Sequence, residues 1–413
     1  MSLFNIIALL TTFAAVFGWL NYRYLRLPTT VGLMLIALVF SAGLIAAGRL
    51  GFAGGAELVH VLEGIDFDET LLHGMLGALL FAGALHIDLE DLARQRIIIG
   101  VLAVFGVLVS TAVVATGTFL MCRAIEIEIP FIHCLLFGAL ISPTDPIAVM
   151  SVLKQLTVPE TLKMKIAGES LFNDGVGVVV FLTLLRLTTG QQEVTVSEVA
   201  DVLVREVIGG LVFGFGVGWI AYHMLKRIDQ HQIEVLITLA VVTGGYALAL
   251  ELDLSGPLAM VVAGLLIGNH GRRFAMSDRT RERLDVFWEL VDDLLNALLF
   301  MLIGFELLVV AIAGKAVLAG FLSIPIVLGA RWLSVALPVT AMRTRRSFSP
   351  HVIKLLTWSG LRGGISVALA LSLSAAQGRA IILPITYTVV AFSIIVQGLT
   401  LRPLVRRLYA KGS

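Results

Sequence analysis

Apolar residues run along this chain in blocks of about 20, the length a helix needs to cross the hydrocarbon of a bilayer, and polar residues gather in the short stretches between. The blocks fall at residues 3–21, 29–48, 70–87, 97–121, 131–152, 165–187, 203–225, 233–250, 256–269, 288–312, 316–340, 352–375 and 380–401. Inside lipid every backbone polar group needs an internal partner, so the pattern predicts an all-α polytopic membrane protein of about 13 transmembrane helices. Two blocks carry helix-breaking sequence at mid-span. The fifth holds Ser142-Pro143-Thr144-Asp145-Pro146, where each proline removes a backbone donor and disfavours helix at the residue before it. The twelfth holds Ser359-Gly360-Leu361-Arg362-Gly363-Gly364, a glycine-rich stretch around a charge. The fifth and twelfth spans lie an odd number of crossings apart and so run in opposite directions. Broken helices at corresponding places in two oppositely directed halves predict inverted repeats, with the two breaks crossing at mid-membrane.

Composition supports the membrane setting. Of 413 residues 58% are hydrophobic and 14% charged, with a mean hydropathy of +0.96, whereas an ordinary globular chain is about 25% charged. Charge distribution tests the span count. With the N-terminus outside, 22 of the 30 Lys and Arg fall in the cytoplasmic segments, among them Arg94, Lys163, Arg272, Arg281, Arg343 and Arg406. Six fall outside (Arg49, Arg123, Arg186, Arg205, Lys315, Arg379), and Arg331 and Arg362 remain within spans. Such an alternation favours thirteen spans with the N-terminus out and the C-terminus cytoplasmic, in a plasma membrane. No basic residue precedes the first apolar run, so that run reads as a retained span and not as a signal peptide.

Other function classes lose ground on the same reading. A net charge of +1 and the lack of a long basic run argue against nucleic acid, and no phosphate-binding loop suggests a nucleotide. Cys122 and Cys134 form no metal or redox motif and read as small hydrophobes near a membrane edge. Loops are short, those at 49–69 and 188–202 are acidic, and no soluble domain is attached. The expectation is one membrane transporter domain over 1–413, driven by ion gradients and without a cofactor.

The chemistry concentrates in the sixth span, Ile166-Ala-Gly-Glu-Ser-Leu-Phe-Asn-Asp-Gly-Val176. Steps of four place Glu169 with Asn173 and Ser170 with Asp174 on one helical face. Ionisable groups at membrane depth are costly unless they handle an ion, a proton or a partner charge. A lone carboxyl withdrawn from water favours its neutral form, so a proton and a small cation compete for the same oxygens. Sodium suits carboxylate, hydroxyl and carbonyl oxygens, and Asp174, Ser170, Thr144 and the freed carbonyls offer that set. Asp145 reads either as a ligand or as a charge that balances the helix dipoles at the break, and Arg362 as a neutraliser of carbonyls at the crossing. Asn173 reads either as a ligand or as a hydrogen-bonding residue that places Asp174. Glu289, Asp292, Asp293 and Asn296 form a stripe in the tenth span, either a solvated helix end or the wall of a cytoplasmic funnel. Glu306, farther along, reads either as a snorkelling surface acid, the reading favoured by its place near the outer end of the span, or as a ligand.

Ser142-Pro143-Thr144-Asp145-Pro146, Gly168-Glu169-Ser170-Leu171-Phe172-Asn173-Asp174 and Gly360-Leu361-Arg362-Gly363 together resemble the cation:proton antiporter superfamily, within it the NhaP-type electroneutral sodium/proton branch. Order, spacing and span count agree over the whole chain. The resemblance implies a six-helix core domain, approximately 97–187 and 316–401, that moves against dimerisation helices at approximately 3–87 and 203–312 in a homodimer. It further implies Asp174 as the ion- and proton-binding carboxylate, with Asn173, Ser170, Thr144 and Asp145 completing or supporting the site, and Glu169 paired with Arg331. One departure stands out. Relatives commonly carry an acid in the third span after a Leu-Phe pair, whereas here Leu80-Phe81 is followed by Ala82, and His86 and Asp88 lie too near the cytoplasmic end to replace it. Where some relatives have two adjacent aspartates this chain has Asn173-Asp174, which leads to an expectation of one-for-one, electroneutral exchange of Na+ or Li+ for H+. A K+/H+ antiporter is the alternative within the class. An intramembrane aspartyl protease using Asp145 and Asp174 and a passive channel lie outside it; the first lacks the surrounding Tyr-Asp and Gly-x-Gly-Asp motifs.

Overall fold

The computed structural model describes residues 3–49, 75–153, 156, 158–189, 196–305, 314–344, 348–349 and 351–409. Every apolar block of the sequence contains helix, and among the described residues there is no strand. The helices are α1 (Leu3–Leu20), α2 (Thr29–Arg49), α3 (Leu76–Leu85), α4 (Leu89–Ala124), α5a (Phe131–Ile141), α5b (Pro146–Leu153) and α6 (Glu160–Thr189). There follow α7 (Val196–Leu225), α8 (His231–Glu251), α9 (Gly256–Gly271), α10 (Asp278–Phe305), α11 (Gly314–Met342), α12a (Val352–Trp358), α12b (Gly364–Leu371) and α13 (Arg379–Tyr409). By length and composition α2, α4, α6, α7, α8, α11 and α13 are apolar enough to cross a membrane, and shorter apolar helices lie at Leu76–Leu85, Phe131–Ile141 and Gly256–Gly271.

Several helices outrun the apolar blocks that announced them. The fourth starts at Leu89 and not near 97, because Asp88 caps it, its Oδ1 accepting the N–H groups of Glu90 (2.8 Å) and Asp91 (3.0 Å). The sixth starts at Glu160, the tenth at Asp278, and the last runs on to Tyr409. Hydrophobicity marks the part of a helix that lipid surrounds, and a capped polar extension continues the same hydrogen-bond ladder into water. The described part of the third block is α3, while residues 70–74 and the segment with Glu306 lie outside the described residues.

Packing places α6 at the centre of the half that carries the chemistry. It touches α4, α5a, α5b and α9; α4 in turn packs along α11, and α11 along α13. Contacts between apolar helices in lipid rest on close backbone approach, which small residues permit. At Gly138 a Cβ would fall 2.4 Å from the Thr111 carbonyl oxygen, so α5a and α4 meet backbone to backbone there. The same device joins α7 to α9, where a Cβ on Gly214 would fall 2.4 Å from the Ala259 carbonyl oxygen. Buried apolar side chains gather in two clusters. The larger links α4–α6 and α11–α13 with α1, α2, the end of α10 and one part of α3 and α9; the smaller joins the rest of α3 and α9 to α7, α8 and the first half of α10 through Leu284 and Trp288.

The fifth and twelfth helices are both interrupted. Helix stops at Ile141 and resumes at Pro146, and it stops again at Trp358 and resumes at Gly364. The two non-helical stretches touch, for the Asp145 N–H donates to the Leu361 carbonyl across 2.8 Å.

Candidate functional site

Breaking two helices releases backbone groups that must find partners, and the side chains at the crossing supply them. Arg362, itself between helix halves, donates from Nη1 to the carbonyls of Ser142 and Pro143 (2.8 Å to the latter). Its own N–H donates to Ser393 Oγ (3.0 Å). On the other side of the break Asn173 grips Thr144 twice: Oδ1 accepts the Thr144 N–H (3.2 Å), and Nδ2 donates to Thr144 Oγ1 (2.9 Å). Ser170 Oγ lies 2.9 Å from the same hydroxyl. Both functional groups of Asn173 are thus engaged with the broken helix, the geometry of a residue that positions its neighbours.

Asp174 follows Asn173 and is 4% exposed. Among the described residues none donates a hydrogen bond to its carboxylate, and Asp145 and Arg362 lie within Coulombic range of it. Asp145 rests against the Gly363 backbone, where a Cβ would fall 2.6 Å from Oδ2, so a side chain at 363 would displace the carboxylate. Glu169 and Arg331 form a two-pronged ion pair, Nη1 to Oε1 and Nη2 to Oε2 (3.0 Å), both side chains almost fully buried. Nε and Nη2 of Arg331 also donate to the Leu356 carbonyl (3.2 and 3.1 Å), which ties α11 to the end of α12a. Gly360 makes room for this guanidinium; a Cβ there would fall 2.6 Å from Nε.

Charge is the decisive property of the arrangement. Around the two breaks lie three buried carboxyls (Asp145, Glu169, Asp174) and two buried guanidiniums (Arg331, Arg362), and Lys165 is buried as well. Apart from Lys165, whose ammonium faces an aromatic ring, these five groups when ionised carry one negative charge in excess, which a single proton or a single monovalent cation cancels. Lys165, one turn before Glu169, places its ammonium over the Phe348 ring at 4.9 Å.

A cavity of about 360 Å³ lies between α3, α5b, α6 and α10. Glu289, Asp292 and Asp293 of α10 line one side, and Pro146 and Leu171, next to Asp145 and one helical turn before Asp174, lie at its other side. Asn296 is buried a turn farther along α10, donating from Nδ2 to the Asp292 carbonyl (2.7 Å). Three acids of the stripe therefore line a cavity that also touches Pro146, next to Asp145. In α3, Ala82 is buried, and His86 Nδ1 donates to its carbonyl (2.8 Å); Asp88 is occupied as the cap of α4. Glu306 lies outside the described residues.

Five polar residues at the crossing carry no role in the sequence reading. Ser142 Oγ donates to the Gly138 carbonyl (2.6 Å) and lies 2.9 Å from Ser110 Oγ and 3.4 Å from Thr111 Oγ1 of α4. Ser393 and Gln397 brace the second break from α13. The available signal was a pair of polar residues one turn apart in an otherwise apolar span.

The region 10–407 matches the family model described as sodium/hydrogen exchanger, transmembrane. The chain belongs to the sodium/hydrogen exchanger family. Within that family it is 48% identical over 411 residues to the Na(+)/H(+) antiporter NhaP of Pseudomonas aeruginosa, a match that covers 98% of this chain and 97% of that protein. It is 32% identical over 391 residues to the Na(+)/H(+) antiporter NhaH of Halobacillus dabanensis, covering 94% and 93%. Its fold is similar to the sodium proton antiporter MjNhaP1 of Methanocaldococcus jannaschii at pH 8, with a TM-score of 0.69 at 19% identity over 92% of this chain and 98% of that one. Family membership and the apolar helices make this an integral membrane protein that crosses the bilayer several times.

Proposed function

We propose that the protein is a secondary antiporter that exchanges Na+ or Li+ for H+, one for one and without net charge movement, across the plasma membrane. The observation that carries this reading is the single excess negative charge at the crossing of the two broken helices, which one proton or one monovalent cation balances. The names of the relatives at 48% and 32% identity support the choice of sodium and proton as its ligands.

In this mechanism Asp174 binds either the proton or the cation, with Ser170 and Thr144 hydroxyls and carbonyls freed at the breaks completing the coordination of Na+. Asn173 holds Thr144 in place, and Glu169 with Arg331 braces the helices around the site. Asp145 and Arg362 balance charge at the crossing. Competition for Asp174 ties the two fluxes together, since a desolvated site crosses the membrane only when its charge is cancelled. The cavity bordered by Glu289, Asp292 and Asp293 serves as a cytoplasmic funnel that concentrates cations. The helices at 97–187 and 316–401 form the core that moves, and those at 3–87 and 203–312 form the scaffold of a homodimer, with the N-terminus outside and the C-terminus in the cytoplasm.

The test is made in proteoliposomes with an imposed pH gradient. Addition of NaCl or LiCl collapses the gradient, and choline chloride does not. Collapse by KCl at lower concentration than by NaCl assigns the protein to potassium instead, and a gradient that no cation disturbs overturns the exchange reading.

A further inference from the structure

A chain of buried hydrogen bonds spans the gap in α12. Gln397 Nε2 donates to the Trp358 carbonyl at the end of α12a (3.1 Å), and its Oε1 accepts from the Ser393 hydroxyl (2.6 Å). Ser393 Oγ then accepts the Arg362 N–H (3.0 Å). Arg362, Ser393 and Gln397 are all 2% exposed or less. A five-residue π-helical turn, Ser393–Gln397, carries the relay within α13, and such turns inside helices frequently mark functional positions. The first break is held in a comparable way, by Ser170 and Asn173 of α6 acting on Thr144. Each break is therefore secured by a hydroxyl and an amide from the helix that follows it.

What the second relay holds is a charge. Arg362 reaches across to the Ser142 and Pro143 carbonyls, and Asp174 lies within its Coulombic range. Fixing the Arg362 backbone fixes how far its positive charge stands from the site. We propose that Ser393 and Gln397 are positioning residues for Arg362 and thereby set how strongly the crossing holds a monovalent cation. The inference rests on the exchange reading above and adds its second supporting shell. A guanidinium near the site opposes a bound cation. A loosened Arg362 spends less time at the Ser142 and Pro143 carbonyls, opposes the cation less, and leaves two carbonyls free to share in holding it.

The variants are Ser393→Ala, Gln397→Leu and the conservative Ser393→Thr, compared in proteoliposomes at the alkaline end of the activity profile, where proton competition is weakest. We expect the sodium KM of the first two to fall at least threefold with the maximal rate equal to or below the parent's, and Ser393→Thr to stay within twofold of the parent in KM. Thermal stabilisation by NaCl relative to choline chloride, read on detergent-purified monodisperse protein, reports cation binding independently of transport and should saturate at correspondingly lower sodium in Ser393→Ala. A melting temperature that drops while the sodium dependence stays at the parent's value means that the relay only supports the fold, and overturns the proposal. So does a Ser393→Thr protein that behaves like Ser393→Ala. A parent protein without sodium-dependent exchange overturns the exchange reading itself; the stabilisation assay then decides the positioning role alone, and a parent that sodium does not stabilise overturns both.

Discussion

Neutralising either partner of the Glu169–Arg331 pair should destabilise the protein, and by different amounts. Both side chains are almost fully buried and joined at two points. Removing one member of such a pair costs about 3–5 kcal/mol, because the other is left as an uncompensated charge. Glu169→Gln leaves Arg331 with its two bonds to the Leu356 carbonyl and removes the excess charge, so its cost belongs at the low end. Arg331→Gln leaves the buried Glu169 carboxylate without its counter-charge, raises the excess from one negative charge to two, and frees the Leu356 carbonyl, so its cost belongs at the high end. For a chain of 413 residues an unfolding entropy of about 2.1 cal/mol/K per residue gives roughly 0.9 kcal/mol per degree, hence a fall in Tm of about 3 °C for the first variant and about 6 °C for the second. Thermal melts of detergent-purified protein at fixed pH and salt measure this, with Asp174→Asn as the comparison. That substitution removes the excess charge without orphaning a partner and should melt at or above the parent. If Glu169→Gln and Arg331→Gln both melt with the parent, the pair is not a brace and the argument from buried charge fails.

Three further outcomes follow from the site. Asp174→Asn should abolish sodium-dependent proton flux while the protein inserts and purifies as the parent does, and retained flux removes Asp174 from the central role. Asn173→Asp loses the amide donor to Thr144 Oγ1 and adds a second acid beside Asp174, so transport should be impaired and a potential-driven component should not appear; a fully active, potential-sensitive variant contradicts this. Gly360→Ala places a methyl 2.6 Å from Arg331 Nε and should lower Tm by several degrees, which equal melting curves for variant and parent would disprove.

Much of this architecture was legible in the chain, for identifiable reasons. Two prolines three positions apart, Pro143 and Pro146, disfavour continuous helix between them more strongly than the single prolines that α11 accommodates, and charges such as Glu169, Arg331 and Arg362 in apolar spans demand partners, so the breaks and the need for buried charge partners followed from local rules. The start of α4 at Leu89 was missed because Asp88 acts through capping geometry, to which a hydropathy window is blind. The sequence allows Asn173 to be either ligand or positioning residue; only the paired bonds to Thr144 reveal how it is occupied, since one helical face says nothing of what lies opposite. Ser393 and Gln397 carry no signal in the sequence beyond being polar residues one turn apart, because their meaning depends on Trp358 and Arg362, more than 30 positions away.

The central claim is that one charge enters the crossing for each one that leaves, and its most direct test is the response of transport to membrane potential. Proteoliposomes carrying fixed sodium and proton gradients are compared with and without a potassium/valinomycin diffusion potential of either sign. The account predicts identical initial rates and identical end points in all three conditions. A rate or end point that shifts with the potential contradicts it, and means that a second acid at the crossing, Asp145 foremost, takes up a proton in the cycle.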